Sequence, residues 1–158
     1  MGKVSRSALV SSSAEDMYEL VRDVESYPEF LPWCAGAEVL EEGPEHQVAR
    51  VHVDLKLQKL SFTTRNRLEP GRALSLGLVE GPFRRLSGQW RFVPLDAAAA
   101  RVSLELDFEF ESRMLGALLG RAFQRIVDGQ VQAFIARAAA LKAAGRGRAI
   151  GQGMPPGT

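Results

Sequence analysis

Few residues of this chain have the types and spacing that chemistry needs. There are two histidines and one cysteine. His46 lies beside the Glu42-Gly43-Pro44 turn signal and His52 falls on the polar side of an alternating run. Neither has a Cys, Asp or Glu at the spacing of a zinc site, so metal chemistry is not expected. Cys34 follows the apolar Trp33 and has no sequence partner to activate it, which predicts a buried structural thiol rather than a nucleophile. Patterns of the GxGxxG and P-loop kind are absent, so no nucleotide cradle is indicated. Glu105, Asp107, Glu109 and Glu111 stand two apart on one strand face. Cross-strand pairing with Arg91, Lys3 or Arg6 accounts for them more simply than a bound cation.

The apolar side chains say more than the polar ones. Phe30, Trp33, Phe62, Phe83, Trp90, Phe108, Phe110, Phe123 and Phe134 all fall where pattern or position aims them inward. Most must form the core, at about 1.5–3 kcal/mol each on burial. A curved sheet is wider than one helix can fill, so the same residues are also expected to enclose an apolar cavity with its mouth near Trp33 and Gly81-Pro82-Phe83.

The elements that position them follow from periodicity. Lys3 to Val10 reads as a strand; Ser12-Ser13-Ala14-Glu15 then starts a helix of about ten residues, with Met17, Leu20 and Val21 on one face. Pro28 and Pro32 prevent a continuous helix over Tyr27 to Trp33, which predicts a short helical turn and a rigid apolar loop. From Ala37 to Glu111 the period is two. Val51, Val53, Leu55 and Leu57 form one alternating set, Leu74, Leu76 and Leu78 another, and Val102 to Phe110 the clearest. One dry face and one wet face imply an antiparallel sheet. Beyond Ser112 the period is helical, with Gly129 as a candidate kink inside one long helix from Met114 to Leu141. The expected fold class is therefore α+β: a curved antiparallel sheet of about six to seven strands around a long C-terminal helix, in the order β-α-α-β(5-6)-α.

The chain has 158 residues, enough for one ordinary domain with a real core. Residues 1–144 are expected to form that domain and 145–158, rich in Gly, Pro and Arg, a disordered tail. No stretch is long and apolar enough to cross a membrane, and the first residues lack the apolar core of a secretory signal, so a cytoplasmic protein is expected. The net charge of +1 conceals a division. Residues 1–49 carry three basic and ten acidic groups, whereas residues 50–101 carry ten basic and four acidic.

Asp23 to Cys34 (DVESYPEFLPWC), Phe62-Thr63-Thr64-Arg65-Asn66, Val79-Glu80-Gly81-Pro82-Phe83 and Asp107-Phe108-Glu109-Phe110 together resemble the coenzyme Q-binding START-like family of the polyketide cyclase/START superfamily. The resemblance runs from about Lys3 to Leu141. It implies a helix-grip fold and two kinds of activity. The first is non-catalytic: ubiquinone, another polyprenyl quinone or a related lipid held in the cavity in support of respiration, with no required cofactor and with peripheral contact to the inner membrane. Tyr27, Phe30, Pro32, Trp33, Val79 and Phe83 would then be the portal, and Trp90, Phe108, Phe123, Val127 and Phe134 the walls. The second is binding to the large ribosomal subunit and inhibition of subunit association, for which Lys56, Lys59, Arg65, Arg67, Arg84 and Arg85 are the candidate contacts. A cyclase or hydrolase of the wider superfamily is the third expectation, and it requires titratable groups converging in the cavity.

Overall fold

The computed structural model describes residues 2–56 and 58–151, with side chains through Gly145. Strand β1 (Gly2–Val10) leads into α1 (Ala14–Arg22), a 3₁₀ segment (Val24–Glu29), and six strands: β2 (Cys34–Glu42), β3 (His46–Asp54), β4 (Lys59–Glu69), β5 (Ala73–Glu80), β6 (Phe83–Asp96) and β7 (Ala99–Phe110). Two helices follow, α2 (Arg113–Asp128) and α3 (Gln130–Gly151). All seven strands form one antiparallel sheet in the order β1-β7-β6-β5-β4-β3-β2. The sheet curves around the C-terminal helices, as the alternation predicts.

Local chemistry explains the boundaries. Ser13 caps α1 by accepting a hydrogen bond from the Asp16 amide at 3.1 Å, and Ser112 caps α2 through the Leu115 amide at 3.1 Å. The alternating run through Leu57 is shorter than expected: β3 ends at Asp54, and Leu57 lies outside the described residues. Lys56 takes φ 72° there, its amide held by the Asp54 carboxylate at 2.8 Å. The long helix divides at Gly129, whose amide is shared between the Arg125 and Ile126 carbonyls at 3.2 Å each. The second half runs on to Gly151, past the expected start of the tail; residues 152–158 lie outside the described residues.

One apolar cluster extends from Val4 to Ala138 between the inner sheet face and the helices. The helices contribute Leu119, Phe123, Val127, Val131, Phe134 and Ala138, spaced three or four apart. The ladder of acids on β7 is answered in part as the sequence leads one to expect, since Lys3 stands opposite Asp107 across β1 and β7. Arg91 faces Ser103, whereas Arg85 donates to Asp107 and Glu109 at 3.0 Å each, and Arg6 reaches Asp128 on α2 at 2.8 Å. Register, which the alternation alone leaves open, selects the partner.

Candidate ligand cavity and outer basic face

Between the inner sheet face and the start of α3 lies an apolar cavity of about 110 Å³. The inner faces of β3 to β7 supply one wall, with Leu74, Leu86, Trp90 and Leu104 among the lining residues. Phe123, Ile126, Val127 and Gln130 close it from the helices, and Val24, Tyr27 and Trp33 from the 3₁₀ segment and the loop after it. A depression of about 470 Å³ around Glu69, Arg72 and Arg91 holds more volume but has charged side chains in its lining.

A cluster of rings joins the 3₁₀ segment to α3 beside the cavity. Phe134 on α3 packs edge-on against Tyr27, Phe30 and Trp90, with centroids 5.4, 5.2 and 5.2 Å away. Arg137, one turn further along α3, places its guanidinium 5.0 Å from the centre of the Phe30 ring and bonds Glu29 at 2.8 Å. The Tyr27 hydroxyl donates to the Val21 carbonyl, and burial pushes its pKa upward. A neutral, already committed phenol is a poor acid or base near pH 7. Among the described lining residues Tyr27 is the one ionisable group.

Five of the eleven residues expected at the cavity or portal line it: Tyr27, Trp33, Trp90, Phe123 and Val127. Phe83, Phe108 and Phe134 are buried immediately behind, and Phe30 is partly buried against Phe134. Phe83 stacks on Phe110 at 4.7 Å, and Phe108 meets Phe123 at 4.8 Å. Pro32 and Val79 do not line it. Pro32 is exposed, and Val79 is the extra residue of a β-bulge, 57% exposed, because Thr63 pairs with Glu80 while Thr64 pairs with Leu78. The adjoining Gly81 has φ +153°, and a Cβ there would meet Phe62 Cβ at 2.7 Å, so the turn at the cavity's edge requires glycine.

The residues the sequence reading missed are polar. Thr64, Asn66 and Gln47 are all buried, as is Thr63, although exposed Arg65 and Arg67 stand on either side of Asn66. The Gln47 amide nitrogen donates to the Arg22 carbonyl at 2.9 Å, the Asn66 nitrogen donates to Gln47 Oε1 at 2.8 Å, and the Thr64 hydroxyl donates to Asn66 Oδ1 at 2.8 Å. Thr64 and Asn66 both line the cavity. Their signal was present in the alternation: they share parity with Leu60, Phe62 and Leu68, as Gln47 does with Ala49, Val51 and Val53.

The outer face carries the charge. On β4, Lys59, Arg65 and Arg67 are exposed. Arg65 comes no closer than 3.9 Å to Glu41, and Arg67 and Lys59, like Lys56 in the preceding turn, have no carboxylate within ion-pair distance among the described residues. Arg84 and Arg85 stand apart from this group, against Glu109 and Asp107 on β7. The six expected contacts therefore divide: among the described residues Lys56, Lys59 and Arg67 have no carboxylate partner, Arg65 and Arg84 have loose ones at 3.9 and 3.8 Å, and Arg85 has two tight ones at 3.0 Å. Each histidine bonds one glutamate of β2, His46 to Glu41 at 2.7 Å and His52 to Glu38 at 2.9 Å. Cys34 is buried, its thiol donates to the Gly36 carbonyl at 3.3 Å, and burial pushes its pKa up.

Residues 10–135 match the family described as polyketide cyclase / dehydrase and lipid transport. Over 138 residues the chain is 50% identical to the ribosome association toxin RatA of Vibrio cholerae, covering 87% of this chain and 96% of that one. Over 134 residues it is 28% identical to the mitochondrial coenzyme Q-binding protein COQ10 homolog B of Xenopus laevis, covering 82% of this chain and 55% of that one. Among solved structures, the Zhui aromatase/cyclase of Streptomyces sp. R1128 superposes with a TM-score of 0.76 at 27% identity, over 87% of this chain and 93% of that one.

Proposed function

The chain belongs to the polyketide cyclase / dehydrase and lipid transport family, and from that premise we propose that it is a non-catalytic, ribosome-associating protein of the cytoplasm. Its partner in this reading is the large subunit, and its effect is to oppose subunit joining. The observation that carries the reading is the 50% identity to a ribosome association toxin across 87% of the chain. The 28% identity to a coenzyme Q-binding protein is weaker support for a quinone carrier. The outer face of β4 supplies chemistry suited to the proposed partner, because Lys59 and Arg67 have no carboxylate within ion-pair distance among the described residues and exposed Arg65 only a loose contact with Glu41 at 3.9 Å. Such cations bind RNA phosphates by releasing counterions, so the association should weaken with salt.

Sucrose-gradient sedimentation of the purified protein with dissociated ribosomal subunits tests this. The protein should travel with the large subunit at low salt and leave it as salt rises. Arg65→Glu with Arg67→Glu should release it, and should flatten the log–log salt dependence by about 0.7–0.9 for each phosphate left without its cation. A protein that stays at the top of the gradient in low salt would defeat the proposal.

The apolar cavity favours a second reading, in which the protein also holds a small lipid or quinone. Its size limits what fits. About 110 Å³ is well below the ~300–1,000 Å³ typical of pockets for drug-sized ligands, and is closer to the ~150 Å³ cavity that takes a single benzene. A polyprenyl tail would need the 3₁₀ segment to part from α3. Organic extraction followed by mass spectrometry should recover a stoichiometric apolar ligand; an extract empty in repeated preparations, together with no quinone affinity, would count against this reading.

A further inference from the structure

The hydrogen-bond relay at the cavity has a fixed direction, and from it we infer that the cavity is built for a neutral, single-ring ligand bearing a hydroxyl group, a phenol or hydroquinone rather than a hydrocarbon. The inference is independent of ribosome association.

The direction is set at the buried end. The Arg22 carbonyl can only accept, so the nitrogen of Gln47 must face it. Gln47 Oε1 is thereby turned to Asn66, which must answer with its nitrogen. Asn66 Oδ1 is left facing Thr64, and the Thr64 hydroxyl must spend its single proton there. Every amide is thus oriented by its neighbour, and no flip of one can be made without facing acceptor to acceptor or donor to donor. Among the described residues no hydrogen bond uses the remaining lone pair of Thr64 Oγ1 or the second N–H of Asn66, and both residues line the cavity.

An acceptor and a donor side by side are both satisfied by a hydroxyl, which gives a proton to one and accepts a hydrogen bond from the other. A carbonyl can use only the donor, and a methyl group can use neither. The volume of about 110 Å³ admits a single ring, and the surrounding Leu74, Leu86, Trp90 and Leu104 offer it apolar walls. No charged side chain lines the described cavity, so the ligand group should be neutral.

The test is a two-by-two comparison with probes of nearly equal size. Phenol and toluene are titrated by calorimetry into the intact protein and into Thr64→Val, which keeps the side-chain shape and removes the oxygen. In the wild type, phenol should bind at least as tightly as toluene despite its greater solubility in water. In Thr64→Val the ratio of the two affinities should shift toward toluene by about tenfold. An unchanged ratio would overturn the inference, as would toluene preferred by more than tenfold in the wild type or neither probe binding up to its solubility. Should Thr64→Val fail to fold, Thr64→Ser keeps the oxygen and should retain the wild-type ratio, while Asn66→Leu should lose it; equal ratios in those two would also overturn the inference. Sedimentation with the large subunit should be the same in wild type and Thr64→Val, which separates failure of this inference from failure of the ribosomal reading.

Discussion

The two faces of β4 differ sharply in polarity and burial. Inward, the strand presents Leu60, Phe62, Thr64, Asn66 and Leu68; outward it presents Lys59, Ser61, Arg65 and Arg67. The inner polar groups are neutral, few, and each is bonded to another buried group. The outer cations are exposed and lack tight partners. The difference follows from solvent: a buried polar group must find a partner or lose about 1–3 kcal/mol, whereas an exposed cation is satisfied by water and stays available to something else. One strand can therefore serve the integrity of the fold with one face and recognition with the other.

Mutations at the two faces should accordingly fail in different assays. Phe134→Ala removes the ring on which Tyr27, Phe30 and Trp90 converge, and should cost about 3–5 kcal/mol, lowering Tm by roughly 10 °C in a scanning measurement. Gln47→Leu strands the Arg22 carbonyl and the Asn66 amide, and should cost about 1–3 kcal/mol by urea unfolding. The outer face should be far more tolerant. Arg65→Glu with Arg67→Glu should change stability by no more than about 1 kcal/mol while removing ribosome sedimentation; a large loss of stability there would erase the distinction between the faces. Cys34 gives the smallest and sharpest comparison. Burial raises its pKa, so the folded state keeps the proton that the unfolded chain gives up near pH 8.5, and this contribution to stability is complete below that pH and is lost as pH rises above it. A thiol reagent at pH 8 should therefore react much more slowly with native protein than with protein in urea.

The architecture was legible because it rests on period. Alternation of two marked the strands, spacing of three and four marked the helices, and Ser13 and Ser112 stood where caps were needed. Gly129 was visible as a weak point, although the sequence alone did not say that the helix would divide there. Properties that depend on register were not legible. Arg85, not Arg91, meets the acids of β7, and the bulge at Val79 turns that side chain away from the cavity. The relay was hidden for a related reason. Thr64 and Asn66 sit among charged neighbours, and only their parity on the strand marks them as interior. The size of the cavity depends on how closely Phe134 and the 3₁₀ segment approach, which no linear pattern encodes.

The pairing of β1 with β7 bears on how the chain assembles. Gly2 lies opposite Phe108 and Val10 opposite Ala100, so among the described residues β1 has its sheet neighbour about a hundred positions downstream. Strands β2 to β7 meander and can zip up through short turns, whereas β1 must wait with Val4 and Val10 unburied until the last strand arrives. Closing so long a loop is slow compared with forming hairpins. Strand β1 therefore waits without a sheet partner until β7 has been made, and pulse-labelled amide exchange during refolding should find the β1 amides protected last.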